Sequence, residues 1–153
     1  MLTKLPIMFS RRIFIATTFL IFSLSACGAP KMTVTLDIVY FNYLDRPIYN
    51  ASIDGKASRS LDPFPETGGS TISGVSLSIG PKVVSWILDG PAGAPRNGEK
   101  VSAKNSLHLS DIPDDAQYLS IHIYPDETVE LIPSRHYPRA TERGISSASK
   151  RSK

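Results

Sequence analysis

Residues 32–44, with the sequence MTVTLDIVYFNYL, decide the fold class of this chain. From Val34 to Tyr40 every second side chain is apolar, and Thr33, Thr35 and Asp37 have the opposite parity. Successive side chains of a β-strand point to opposite faces of the sheet, so a period of two is typical of a strand with one buried face. The segment therefore predicts a half-buried β-strand.

Similar short runs of β-branched and aromatic residues recur along the chain, separated by clusters of Pro, Gly, Asp and Asn that predict turns. We expect a turn at Gly80-Pro81 and a tight hairpin at 125–127. After Pro30 no segment of helical length shows an apolar stripe with a period of 3.6 residues. The pattern predicts an all-β fold, a small antiparallel β-sandwich or barrel-like domain. The further predicted strands cover residues 48–53, 74–79, 82–88, 118–124 and 128–132.

Two stretches, 62–69 and 90–98, are so rich in Gly and Pro that we expect loops there. The net charge along the chain changes from negative to positive near Arg135. Residues 27–134 hold eight Lys/Arg against thirteen Asp/Glu, and residues 135–153 hold six Lys/Arg against one Glu. We therefore expect a β-rich domain over 27–134, followed by a basic, Ser-rich tail over 135–153. Its composition predicts disorder beyond about Pro138.

The first 26 residues have the three regions of an export signal. Lys4, Arg11 and Arg12 form a positive region without an acid, and the uncharged apolar run 13–24 follows it. The alternative is a buried helix or a retained membrane anchor, but a spanning helix needs about 20 apolar residues. The three cations equal the excess of 17 Lys/Arg over 14 Asp/Glu, so the chain from Cys27 onward is neutral. It therefore gives no reason to expect a nucleic-acid partner.

The tetrad Leu24-Ser25-Ala26-Cys27 resembles the lipobox of bacterial lipoproteins. The resemblance implies cleavage of a signal peptide over 1–26 and lipidation of the Cys27 thiol. Two lipid chains suffice for stable anchoring, because each buried CH₂ contributes about 0.8 kcal/mol. Lipidation also accounts for the single cysteine of an exported chain. Gly28 stands where an Asp retains such lipoproteins at the inner membrane. We therefore expect the domain to face the periplasm from the outer membrane.

The search for catalytic or metal-binding motifs finds little. None of the three histidines lies three to five residues from another, and no cysteine is left to complete a zinc site. His108 and His122 alternate with Leu and Ile, which predicts strand histidines that point into solvent. No phosphate-binding loop or Gly-x-Ser-x-Gly motif appears. We therefore expect no enzyme activity, no metal and no cofactor beyond the covalent lipid, although a triad is recognised by geometry rather than sequence order.

Three stretches are similar to a family of small proteobacterial lipoproteins: 42–48 (NYLDRPI), 80–97 (GPKVVSWILDGPAGAPRN) and 118–131 (YLSIHIYPDETVEL). The resemblance covers about residues 34–132. Some members are encoded beside type VI secretion lipase effectors and act as periplasmic immunity proteins. The resemblance therefore implies a non-enzymatic binding protein that neutralises a secreted phospholipase.

A binding protein of this kind is expected to use aromatic and Arg side chains in projecting loops. We expect Phe64, between two prolines, and Arg96, in the second Gly/Pro-rich loop, to contact the partner. The alternatives are that Phe64 folds back on the core and that Arg96 is a solvated loop charge. Two other functions stay open: a structural or assembly lipoprotein of the cell envelope or of a secretion complex, and a periplasmic hydrolase.

Overall fold

The computed structural model of the chain describes residues 32–67 and 71–150, so the predicted signal peptide and Cys27 lie outside the described residues. No helix in the described ranges is long and apolar enough to cross a membrane. These ranges contain ten β-strands and one α-helix: β1 (Thr33–Asn42), β2 (Ile48–Ile53), β3 (Lys56–Leu61), β4 (Thr71–Ser78), β5 (Gly80–Lys82), β6 (Val84–Leu88), β7 (Lys100–Ser102), β8 (Leu107–Leu109), β9 (Tyr118–Ile123), β10 (Val129–Ser134) and α1 (Glu142–Ser149).

The strands form two four-stranded sheets and one short ladder. The first sheet has the order β10-β9-β1-β4, the second has the order β3-β2-β6-β7, and β5 pairs with β8. The predicted all-β, sandwich-like fold is confirmed. The sheets are antiparallel with one exception, because β1 and β9 pair in parallel. A parallel pair needs a long connection, and here the whole second sheet lies between the two strands in sequence. Residue alternation does not reveal the direction of a partner strand.

One hydrophobic core lies between the two sheets. Leu36, Ile38 and Tyr40 of β1 contribute to it from the first sheet, and Val84 and Trp86 of β6 contribute from the second. These side chains occupy alternate positions, as the period of two predicts, and all are at most 1 % exposed. Burial of each such side chain stabilises the fold by roughly 1.5–3 kcal/mol relative to an exposed position.

A second cluster lies on the other face of the first sheet. It contains Val39, Phe41, Tyr43 and Tyr124, with the partly buried Phe64, Tyr118 and Ala140 packed against it. Because the C-terminal segment contacts this face, the last residues of β1 and nearly all of β9 are buried on both faces. The second sheet alternates instead between buried and partly exposed residues, most clearly in β6.

The prediction of disorder beyond Pro138 is wrong for residues 139–150, which include α1. Thr141 caps the helix, and its Oγ1 accepts a hydrogen bond from Gly144 N at 3.1 Å. Gly144 packs so closely on the Tyr43 ring that a Cβ there would lie 2.1 Å from Tyr43 Cζ. Isolated helices of this length are unstable in water, so packing on the aromatic cluster stabilises α1. Composition alone does not reveal this packing.

The expected turn at Gly80-Pro81 is also wrong, because residues 80–82 form β5 and pair with β8. The predicted strand 82–88 is interrupted at Val83 and continues as β6. The strands β3, β7 and β8 were not predicted. β7 and β8 have three residues each, which is too short for a period of two to be recognised. The hairpin at 125–127 and the loops at 62–67 and 90–98 are confirmed.

Candidate functional site

Several loops meet at Asn42, the last residue of β1. Asn42 is completely buried, and its Nδ2 donates to the carbonyl oxygens of Arg46, Leu61 and Asp62 at 2.9, 3.4 and 3.3 Å. Its Oδ1 accepts a hydrogen bond from Leu44 N at 3.0 Å. A single amide side chain thus connects the β1–β2 loop to the end of β3. The Asn42 amide forms hydrogen bonds with backbone groups of the loops that no strand pairing satisfies. It therefore holds both loops in one conformation.

Arg46 attaches the 89–99 loop to the same site. Its Nε donates to the carbonyl oxygen of Asp89 and its Nη1 donates to that of Pro95, both at 2.6 Å. The remaining nitrogen, Nη2, is buried without a hydrogen-bond partner in the described part of the chain. A Cβ on Gly90 would lie 3.1 Å from this nitrogen, so the loop closes tightly over the guanidinium group.

Arg96 connects that loop to the β9–β10 turn by ion pairs. Its guanidinium group makes two bonds of 2.7 Å to the carboxylate of Glu99 and one of 2.6 Å to Glu127. Lys104 pairs with the second oxygen of Glu127 at 2.9 Å. Hydrogen bonds from Arg96 and then Lys104 lower the pKa of Glu127. Arg96 and Glu127 also have left-handed backbone conformations, with φ of 58° and 64°, which are uncommon for residues other than glycine.

These contacts leave a groove of about 540 Å³ between the loops and α1, which we call the loop groove. Its walls combine apolar side chains and prolines with charges of both signs, so it offers hydrogen bonds and ion pairs on a partly apolar floor. The loop groove is lined by Leu44, Asp45, Arg46, Leu88, Pro95, Arg96, Pro125, Glu127, Ser147 and Lys150.

The structure separates the two residues that were predicted to contact a partner. Arg96 lines the loop groove, and its side chain is 48 % exposed although it is ion-paired. Phe64 does not line the groove; it packs against Tyr43 with ring centroids 5.5 Å apart. The alternative that Phe64 folds back on the core therefore matches the structure. A partner contact of either residue stays a prediction.

A polar network crosses the outer face of the first sheet beside the groove. Thr141 N donates to Tyr43 Oη at 3.0 Å, and Tyr43 Oη lies 3.1 Å from His122 Nδ1. His122 Nε2 lies 3.0 Å from Ser120 Oγ, which donates to the carbonyl oxygen of Ile132. The Ser120 hydroxyl uses its hydrogen on Ile132, so the neutral imidazole with a proton on Nε2 satisfies every group in the chain. Burial lowers the pKa of His122 to about 4, against an opposing effect of Glu130.

This arrangement corrects the prediction for His122. The residue does point away from the main core, as its alternation with Ile121 and Ile123 indicates, but it is completely buried by the C-terminal segment. His108 is exposed as expected. The Ser120–His122 pair has the residue types of a nucleophile and its base, yet Ser120 is only 1 % exposed and its hydroxyl already donates to the backbone. Within residues 32–67 and 71–150, no group of three or more metal-ligating side chains occurs.

Sequence reasoning missed Asn42, Arg46 and Glu127 as organisers of the site. For Asn42 a signal exists, because an Asn at the end of a strand favours local hydrogen bonds to a following turn. For Arg46 the neighbouring Pro47 indicates only a turn. No local signal distinguishes Glu127 from other turn acids, because its partners Arg96 and Lys104 lie in other parts of the chain.

The fold and the groove together define a class, an all-β sandwich-like domain with a loop groove at the ends of its central strands. A search of protein-family models, of curated proteins and of solved structures finds no match to this chain.

Proposed function

We propose that this chain is a periplasm-facing lipoprotein of the outer membrane, anchored through lipid on Cys27, that binds and neutralises a type VI secretion lipase. The export signal, the lipobox and the family resemblance support the location and the partner class. The loop groove supports the binding role. An inhibitor held by a lipid anchor stays beside the phospholipids that the toxin attacks, so its local concentration there is high.

The observation that carries the binding role is the Arg96–Glu127 ion pair across the loop groove. Left-handed backbone at residues other than glycine costs of order 1 kcal/mol, and such positions cluster at functional sites. Here two of them, on separate loops, are joined to each other at 2.6 Å. Arg96 keeps an exposed side chain while its neighbours hold it in place. A side chain that is already ordered loses little entropy when a partner binds it.

The loop groove would form the centre of a larger contact. A standard interface buries about 800 Å² on each partner, so the neighbouring exposed residues of α1 and of the 89–99 loop would surround it. Arginine is enriched among the residues that dominate binding energy. The mixed charges of the groove would then select a partner surface with complementary charges.

The first experiment is co-purification of the chain with the lipase encoded nearest to it, together with a phospholipase assay. We expect a stable one-to-one complex and loss of lipase activity. Arg96→Ala should weaken the complex by about tenfold or more, the range of a dominant interface Arg. Arg135→Ala is the matched control, because Arg135 also pairs with an acid, Asp115, but lies outside the groove.

The variants must keep the fold for this comparison. Glu127 retains Lys104 as a partner when Arg96 is shortened, so the β9–β10 turn stays neutralised and the melting temperature should change little. Absence of a complex and of inhibition at micromolar concentrations would contradict the immunity function. Equal weakening by both variants would contradict the groove as the contact. Capture of an inner-membrane secretion component by crosslinking would instead favour the alternative, an assembly lipoprotein of the envelope.

A further inference from the structure

The outer face of the second sheet is a surface that the loop groove does not use. Strand register places Tyr49, Ile87 and Lys100 in one row across β2, β6 and β7, and places Ser52, Ser85 and Ser102 in the next row. Tyr49 is 40 % exposed. Val83, just before β6, has the same parity as Ser85 and is 61 % exposed. We call these residues the second-sheet face.

Two depressions mark this face. One has a volume of about 380 Å³ and is lined by Ser52, Val83, Ser85 and Lys100 among others. The second, of about 360 Å³, lies beside Tyr49 and Arg59. They share Asn50 and Ser58, whose side chains are hydrogen-bonded to each other. Hydroxyl, amide and cationic groups therefore surround spaces of the size of a small polar headgroup, together with the Asp54 carboxylate, whose charge is paired with Lys82.

The charge of this face differs from that of the rest of the domain. Residues 27–134 carry more acids than bases, but β2, β3, β6 and β7 contain no acidic residue. They contain Lys56, whose Nζ donates to the carbonyl oxygen of Ser76 in β4 of the first sheet at 2.6 Å, and also Arg59 and Lys100. In the described part of the chain, Arg59 and Lys100 take part in no ion pair. A cationic face on an otherwise acidic domain is complementary to an anionic surface.

The chain reaches the domain at the margin of this face. Met32 O accepts a hydrogen bond from Ile79 N, and Lys82, three residues later, pairs with Asp54 at 2.6 Å. Asp54 in turn exchanges hydrogen bonds with the backbone of Val83. Within residues 32–67 and 71–150, Met32 and Val83 are the two most exposed large apolar residues, at 78 % and 61 %. A chain of four residues, 28–31, spans less than about 20 Å, so a lipid on Cys27 keeps this margin near the membrane.

From this geometry we propose that the second-sheet face lies against an anionic phospholipid surface. The inference rests on the proposed lipid anchor. Tyr49 and Val83 then enter the interfacial region, where a Tyr side chain keeps its hydroxyl in water. Arg59 and Lys100 extend their cationic ends to lipid phosphates. The first sheet carries α1 on its outer face, so α1 points away from the membrane and Ile145, at 45 % exposure, stays in water.

The test uses the full chain, acylated in cells and reconstituted in vesicles of phosphatidylethanolamine and phosphatidylglycerol. Val83→Cys carries an environment-sensitive fluorophore, and Ile145→Cys on α1 is the matched control with a similarly exposed apolar side chain. We expect the label at residue 83 to shift to shorter emission wavelengths, to lose quenching by aqueous iodide and to be quenched by a lipid-borne nitroxide. The label at residue 145 should show none of these changes. Arg59→Glu with Lys100→Glu should restore iodide quenching at residue 83.

Each other result overturns the proposal. Equal iodide quenching at residues 83 and 145 in protein that floats with the vesicles would overturn the orientation and leave the lipid anchor intact. If protection of the residue 83 label from iodide quenching rises with the protein-to-lipid ratio, the face binds a second copy of the chain instead. Protection that the double charge variant leaves unchanged would exclude anionic lipid as its cause. Failure of the unlabelled protein to float would overturn the anchor itself, and with it the proposed function.

Discussion

The two sheets of this domain have similar strands but different surroundings. In the second sheet one face packs on the core and the other carries Ser, Lys and Tyr side chains at the surface. In the first sheet both faces of β1 and β9 are covered near the end where the loops gather, one by the second sheet and one by the C-terminal segment. The difference shows that a short helix packed on a sheet can bury a face that would otherwise be exposed to solvent.

The covered face of the first sheet is held by aromatic contacts as well as by the polar network. Phe41 stacks on His122 with centroids 4.7 Å apart, and Tyr43 stacks on Tyr124 at 5.3 Å. The guanidinium group of Arg143, on α1, lies 3.8 Å from the centre of the Tyr124 ring. Burial, opposed by a hydrogen bond from Thr141, raises the pKa of Tyr124 to about 12. Such contacts contribute about 0.5–1.5 kcal/mol each beyond the burial of area.

The largest expected effect compares one aromatic residue from each outer face. Phe41→Ala should lower the free energy of unfolding by about 3–5 kcal/mol, because it removes a buried ring and leaves a cavity that α1 cannot fill. Tyr49→Ala on the exposed face should cost at most about 1 kcal/mol, the range of a single cross-strand contact. Urea unfolding of both variants measures the difference. Equal losses would show that the two outer faces contribute alike, against the burial seen here.

The second effect is pH dependence from His122. Its pKa in the folded state, about 4, lies below the ordinary value near 6.5, because burial disfavours the cation. Between these values the unfolded chain binds more protons than the folded chain. The free energy of unfolding should therefore fall as the pH drops from 6.5 to 4, by roughly 3 kcal/mol in total, and should be fully retained above pH 6.5.

Two variants make this measurement specific. His122→Gln keeps an amide that can bond Tyr43 and Ser120, and it should remove the dependence between pH 6.5 and 4. His108→Gln replaces an exposed histidine and should leave the dependence unchanged. Urea unfolding at a series of pH values measures both. A slope that persists in His122→Gln would assign the titration to another group.

The smallest effect concerns the contact between α1 and the first sheet. In an exposed helix, Gly→Ala stabilises by about 0.5–1 kcal/mol. At Gly144 the new Cβ would overlap the Tyr43 ring, so Gly144→Ala should instead destabilise by about 1–3 kcal/mol. Ser146→Ala, at an exposed position of the same helix, is the control and should be neutral or slightly stabilising. Thermal unfolding followed by circular dichroism distinguishes the two signs. A gain of stability at residue 144 would contradict close packing of the helix.

The sequence predicted all four strands of the first sheet but only β2 and β6 of the second sheet, whereas it predicted burial better in β6 than in β9. In β6 the burial alternates at every residue around Trp86, because one face meets water, and the apolar Ile87 is the one residue whose type does not follow this alternation. At His122 the alternation predicted the correct face of the sheet, but it wrongly predicted exposure to solvent. The segment that buries this face lies further along the chain, so no local pattern reveals it. For the loop groove, the Gly/Pro composition predicted the loop that carries Arg96. It could not predict that Arg46 and Glu127 hold that loop in place through contacts between distant residues.

By itself the sequence determined the class of fold, most strand positions, the main loops and, as predictions, an export signal with a lipidation site at Cys27. These depend on local patterns: the period of two, turn residues and short motifs. Only the tertiary structure decided that β1 and β9 run in parallel, that the basic C-terminal segment forms a helix, and that His122 is buried and Arg96 ion-paired across two loops. Each of these is a contact between residues distant in sequence, whose free energy no local pattern encodes.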